Sequence, residues 1–155
     1  MNSNNEQPTI DYQALAELRY QIRRFLRFSE QVARAEGIEP QQYQLLLALK
    51  GLPTDRKPTV RELAERLQLQ HNSTVELINR LAEHKLVERH RDDSDQRQVI
   101  VTLTTHGEEI LQRQARYHQA ELATIGPMLL QALETILAHN QDALNRDSRS
   151  QEDKG

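Results

Sequence analysis

A chain of 155 residues with net charge −3 and no cysteine cannot carry a disulfide, a zinc–thiolate site or a cysteine redox switch. Hydrophobic residues make up 37% and charged residues 28%, with no Trp, a lean composition that suits a mostly helical domain with surface left to cover by association. The acidic balance excludes a generally basic body: between Arg56 and Arg97 nine Lys/Arg face eight Asp/Glu, so any nucleic-acid binding rests on local arginines.

Residues 1–10 and 147–155 are polar and are expected to be mobile tails around one domain at 11–146. Met1 to Pro8 reads as neither a signal peptide nor a basic targeting segment. No apolar run reaches the roughly 18 residues of a bilayer span, and the expectation is a cytoplasmic chain with no membrane partner. From Asp11 to Ala35 the spacing of Leu15, Leu18, Ile22, Phe25, Leu26 and Val32 predicts an amphipathic helix, with Arg19, Arg23 and Arg27 on another face. Gly37 ends it, and Pro40 opens a second helix that carries Tyr43, Leu46, Leu47 and Leu49 and stops at Gly51. Thr59 and Glu62 read as a capping box for a third helix with Val60, Leu63, Ala64 and Leu67 inside. After the turn Gln68-Leu69-Gln70, a fourth helix begins near His71–Ser73 and runs to about Glu83. Its expected inner face is Val75, Ile78, Leu81 and Ala82, with Asn72, Ser73, Glu76, Asn79 and Arg80 outward. Residues 86–90 and 99–103, around an Asp/Ser-rich turn, predict a β-hairpin. Thr105 and Glu108 read as a second capping box for a long helix that Gly126-Pro127 should break, before a last helix with Leu129, Leu133, Ile136, Leu137 and Leu144.

Helix, short turn, helix and hairpin in that order describe a winged helix-turn-helix, about residues 40–104. A major groove about 12 Å wide admits one helix, and residues near its N-terminus reach base edges. Asn72, Ser73 and Thr74 are short, polar and uncharged, which suits base edges and phosphates alike. The hairpin tip brings arginine to the minor groove: Arg97 is the candidate there, Asp95 can hold its guanidinium, and Arg91 and Arg89 are flanking phosphate contacts. Thr59 and His71 complete the candidate interface.

At residues 59–107 the chain resembles the MarR family of bacterial and archaeal regulators. The likeness rests on Thr59 to Leu67, Asn72 to Leu81, the wing pattern Asp93-x-Asp95-x-Arg97, and Val101-x-Leu103-Thr104-x-x-Gly107. It implies a mainly α fold with a β-hairpin wing, whose terminal helices, about 11–36 and 105–146, interlock in a homodimer. Each subunit then presents one recognition helix to half of a pseudopalindrome in double-stranded DNA, with Asn72, Ser73, Glu76, Asn79 and Arg80 on that helix and Arg97 on the wing tip. Two positions depart from the common pattern. Glu76 would repel phosphate but can accept from cytosine N4, and Lys85 stands where many members have Gly.

The six histidines, His71, His84, His90, His106, His118 and His139, show no ligand spacing and read as surface residues, with no metal or cofactor expected. No phosphate loop or nucleophile motif points to an enzyme. Tyr20, Phe25 and Phe28 are the candidates for a small-effector pocket, with core packing as the competing role. The expected function is sequence-specific regulation of transcription, as a dimeric repressor modulated by a small ligand. The alternative is a winged-helix adaptor that binds protein and not DNA.

Overall fold

Apolar residues at a 3.6-residue period shape most of the chain. The computed structural model describes residues 10–152, and the expected tails at 1–9 and 153–155 lie outside them. The elements, in chain order, are helices α1 (Tyr12–Ala35), α2 (Pro40–Lys50), α3 (Val60–Leu67) and α4 (His71–Glu83), strands β1 (Val87–Arg91) and β2 (Val99–Leu103), and helix α5 (Thr105–Glu152). Two compact units divide them: residues 28–119, and residues 10–27 with 120–152.

In the unit 28–119, Leu45, Leu46, Leu63, Leu77, Ile78, Leu81, Leu86 and Val101 are buried almost completely and form the core with Ile110 and Leu111. Full burial of each such side chain contributes about 1.5–3 kcal/mol. The antiparallel pair runs from Val87↔Leu103 to Arg91↔Val99, so β1 starts one residue later than expected. Thr59 bridges Ile100, and Val101 N donates to Pro58 O at 3.0 Å, which adds the residues before α3 to the sheet edge.

Helix α5 starts differently from the expectation. Thr104, not Thr105, is the cap: its Oγ1 accepts from Gly107 N (3.0 Å) and donates to Lys85 O (2.7 Å). The Glu108 carboxylate is taken by Lys50, 2.6 Å away. A Cβ on Gly107 would lie 2.0 Å from Leu86 O, so only glycine fits where this helix starts against the link between α4 and β1. Lys85 nevertheless adopts the left-handed conformation (φ 58°), at a cost of about 1 kcal/mol without glycine.

The Pro127 break is not observed, and α5 continues through it and past residue 146 to Glu152. An interior proline removes one backbone bond and costs about 3 kcal/mol. Tertiary burial on either side offsets it, Ile125 and Ala132 being buried in the unit formed by 10–27 and 120–152. In that unit Gln21 Nε2 donates to Glu17 Oε1 at 2.7 Å and lies 3.5 Å from Met128 Sδ. Leu15, Ile22 and Leu26 of α1 and Leu122, Leu130, Leu133 and Leu137 of α5 remain exposed. By length and composition the Thr105–His139 part of α5 can cross a membrane, where no such stretch was expected. Gln131 and Glu134 interrupt the apolar run but leave its average high.

His118 is also not a surface residue. It is 5% exposed, with the Tyr43 ring 4.5 Å away and Phe28 edge-on at 5.9 Å. Burial pushes its pKa down, partly offset by a hydrogen bond to the Gln114 backbone.

Two outcomes follow from these contacts. Gly107→Ala should lose about 3 kcal/mol of unfolding free energy in urea, the upper end for an overpacked site. For His118, the fold favours the neutral ring, so below about pH 6.5 the unfolded chain binds more protons. Its contribution is complete above that pH and is lost as pH falls toward the lower folded value. Urea titrations between pH 7.5 and 5.5 should therefore show a steeper stability loss for the native chain than for His118→Leu.

Candidate nucleic-acid interface

Helix α3 begins at Thr59, whose Oγ1 accepts from Glu62 N at 3.2 Å. The reciprocal half of the expected capping box is absent because Thr59 N already donates to Lys57 O (2.8 Å). The Glu62 carboxylate instead accepts from Arg66 Nε at 2.9 Å and lies 3.6 Å from Arg56. Thr59 thus holds a helix start and a sheet edge at once.

The turn into α4 passes through Gln68, left-handed at φ 54°. On α4, His71, Asn72, Ser73, Glu76 and Arg80 are exposed and Asn79 is half-buried. Thr74 is a correction to the expected interface: it is 0% exposed, and its Oγ1 donates to Gln70 O at 3.0 Å. The inner stripe is Thr74, Leu77, Ile78 and Leu81, with Val75 only partly covered. The two C-terminal candidates have partners within the chain. Asn79 Oδ1 accepts from Arg89 Nη1 of β1, and Arg80 lies 3.7 Å from Glu39 at the start of α2.

Seven residues, 92–98, join β1 to β2 and form the wing tip. Arg97 projects with its side chain 93% exposed, and Asp95 Oδ1 accepts from its backbone N (3.1 Å) and its Nε (3.3 Å). This is the expected pose. Arg91 Nη1 donates to Gln96 O at 3.3 Å. Sequence reasoning missed the residue that organises this turn. Asp92 is buried, its Oδ1 accepts from Ser94 N and Ser94 Oγ (both 3.0 Å), and its Oδ2 accepts from Lys57 Nζ at 2.5 Å. The Lys57 ammonium first, then the Ser94 amide, hold the Asp92 carboxyl below the ordinary carboxylate range. Asp followed by Ser two residues on is an Asx-turn signal and marks Asp92 in the sequence. Nothing local marks Lys57 as its partner, 35 residues away.

The effector candidates are not gathered in one unit. Tyr20, with the Arg24 guanidinium 5.9 Å from its ring, and half-buried Phe25 belong to the unit of 10–27 and 120–152. Phe28 belongs to the other, edge-on to His118.

An exposed polar helix N-terminus beside a hairpin with a projecting arginine is a winged helix-turn-helix, and residues 36–98 match the MarR family model. The fold is a winged helix, and over this segment it is similar to the MarR family. Solved structures extend the likeness over the terminal helices. A MarR family transcription regulator shares 23% identity over 93% of each chain, with a TM-score of 0.66. AbsC, a MarR family transcriptional regulator from Streptomyces coelicolor, shares 22% identity over 90% of this chain and 98% of its own, with a TM-score of 0.66. A mutant of Staphylococcus aureus MepR bound to an oligodeoxyribonucleotide shares 21% identity over 89% and 99%, with a TM-score of 0.58. No curated protein matches the chain at a significant level. Within the matched MarR segment lie α2, α3, α4, β1 and the wing turn, so it contains every DNA-contact candidate.

Proposed function

We propose that the chain is a cytoplasmic DNA-binding transcription regulator that acts as a homodimer on a pseudopalindromic operator and represses until a small ligand releases it. The observation that carries this reading is the pairing of an exposed polar α4 start, Asn72 and Ser73, with the outward Arg97 guanidinium held by Asp95. Free backbone N–H groups at a helix N-terminus add phosphate contacts. The fold shared with a DNA-bound MepR mutant supports the same use.

Dimerisation is supported by the leucines that a lone chain leaves in water on α1 and α5. A second copy of these helices covers them without a membrane and accounts for the apolar average of α5. Two recognition helices must then sit about 34–36 Å apart, so a modest shift of the dimer helices lowers affinity. Release by a small ligand, with Phe28 among its candidate contacts, completes the reading.

Gel shift against DNA flanking the chain's own gene tests it. The native chain should form a sequence-preferring complex, and Arg97→Ala should weaken it roughly tenfold. Thr74→Val should leave affinity unchanged while stability drops by about 1 kcal/mol through the lost hydrogen bond. A stoichiometric protein partner with no DNA complex would favour the adaptor alternative.

A further inference from the structure

We infer that Lys57 and Asp92 form a clamp that positions the wing, so that Lys57 sets DNA affinity through Arg97 and not by touching DNA. The inference rests on the DNA-binding reading above. The remaining bonds of the wing turn run within the hairpin: Asp92 N donates to Gln98 O (3.0 Å), Gln98 N to Asp95 O (2.9 Å), and Gln96 Nε2 to Asp92 O (3.2 Å). They shape the turn but do not tie it to the rest of the fold. Lys57 does. Its Nζ donates to Asp92 Oδ2 and to Ser94 Oγ, both at 2.5 Å, and so grips two residues of the turn at once.

The other end of the clamp is fixed as well. Lys57 O accepts from Thr59 N, Pro58 O accepts from Val101 N, and Thr59 bridges Ile100. Lys57 therefore extends from backbone already joined to β2. The Asp92 side chain is only 8% exposed, so its charge is poorly served by water and is held by Lys57 together with the Ser94 amide and hydroxyl. A bare seven-residue turn would sample many tip positions, and holding it in one lowers the entropy lost when Arg97 engages DNA. An ammonium with two protein acceptors is also less available to phosphate than the Arg97 guanidinium, whose side chain is 93% exposed.

The test has a DNA-free arm and a DNA arm, both on the full chain. Amide hydrogen exchange of Lys57→Ala and Asp92→Asn should speed up at residues 94–98 and stay unchanged in α4 and α5. Unchanged wing exchange would overturn the clamp. In the second arm, affinity for a duplex of about 30 base pairs is measured by anisotropy over a salt series. Lys57→Ala should bind roughly five- to tenfold more weakly than the native chain, with the same salt slope, and Lys57→Arg should recover most of the loss. In an Arg97→Ala background the same substitution should cost nothing further. A salt slope shallower by about one, or an equal loss without Arg97, would make Lys57 a direct phosphate contact and overturn the inference. A native chain that binds no duplex defeats the DNA-binding reading, and the exchange arm then decides the clamp by itself.

Discussion

The backbone of Leu86 joins four elements within two peptide units. Its side chain closes the core, its N–H returns to Leu81 O at 2.9 Å, and its carbonyl accepts from Thr104 N at 3.1 Å. The same carbonyl leaves no room for a Cβ on Gly107. The end of α4, the start of β1, the end of β2 and the start of α5 therefore meet in one rigid knot. Hairpin register follows from it, because pairing begins at the next residue, Val87↔Leu103. The left-handed Lys85 turns the chain into this knot, and its carbonyl, bonded to Thr104 Oγ1, is part of the same closure.

From that knot the wing and α4 are held at a set mutual position, and the polar contacts made by their arginines serve orientation more than stability. Arg97 with Asp95 and Arg80 with Glu39 are exposed ion pairs, and Arg89 donates to half-buried Asn79; each contributes at most about 1 kcal/mol. Their effect is to give flexible guanidinium groups preferred directions before any DNA arrives. On the proposed reading this reconciles an acidic chain with DNA binding: placement supplies locally what net charge does not. On the proposed DNA-binding reading, exposed Glu76 would add selectivity in the same way, since a carboxylate there discourages phosphate and rewards a cytosine amine.

Much of the fold was legible because it is written in local rules. Gly37, Pro40 and Gly51 mark helix ends, and the alternation around residues 92–98 marks the hairpin. Most of the misses come from contacts distant in sequence, and Thr74 is the local exception. Thr74 looks like its polar neighbours Asn72 and Ser73, yet its phase on α4 turns it inward, where the Gln70 carbonyl satisfies its hydroxyl. Glu108 looks like a capping residue until Lys50 claims it from α2. Pro127 reads as a break, and only the burial of Ile125 and Ala132 shows why the helix persists. His118 carries no sequence mark of its aromatic surroundings. The wing signature identified Arg97 and Asp95, but the buried Asp92 that shapes the turn became visible only with Lys57 beside it.

The central claim is that affinity resides in a few placed groups, with sequence preference read by uncharged side chains at the start of α4. The most direct measurement is the ratio of binding constants for the chain's operator and for a scrambled duplex of equal length, followed from about 50 to 200 mM salt. The account predicts that both affinities fall with a shallow slope while their ratio holds or grows, because salt screens phosphate contacts and spares base contacts at Asn72 and Ser73. A ratio that collapses toward one as salt rises, or a slope as steep as that of a basic protein making ten phosphate contacts, would contradict it.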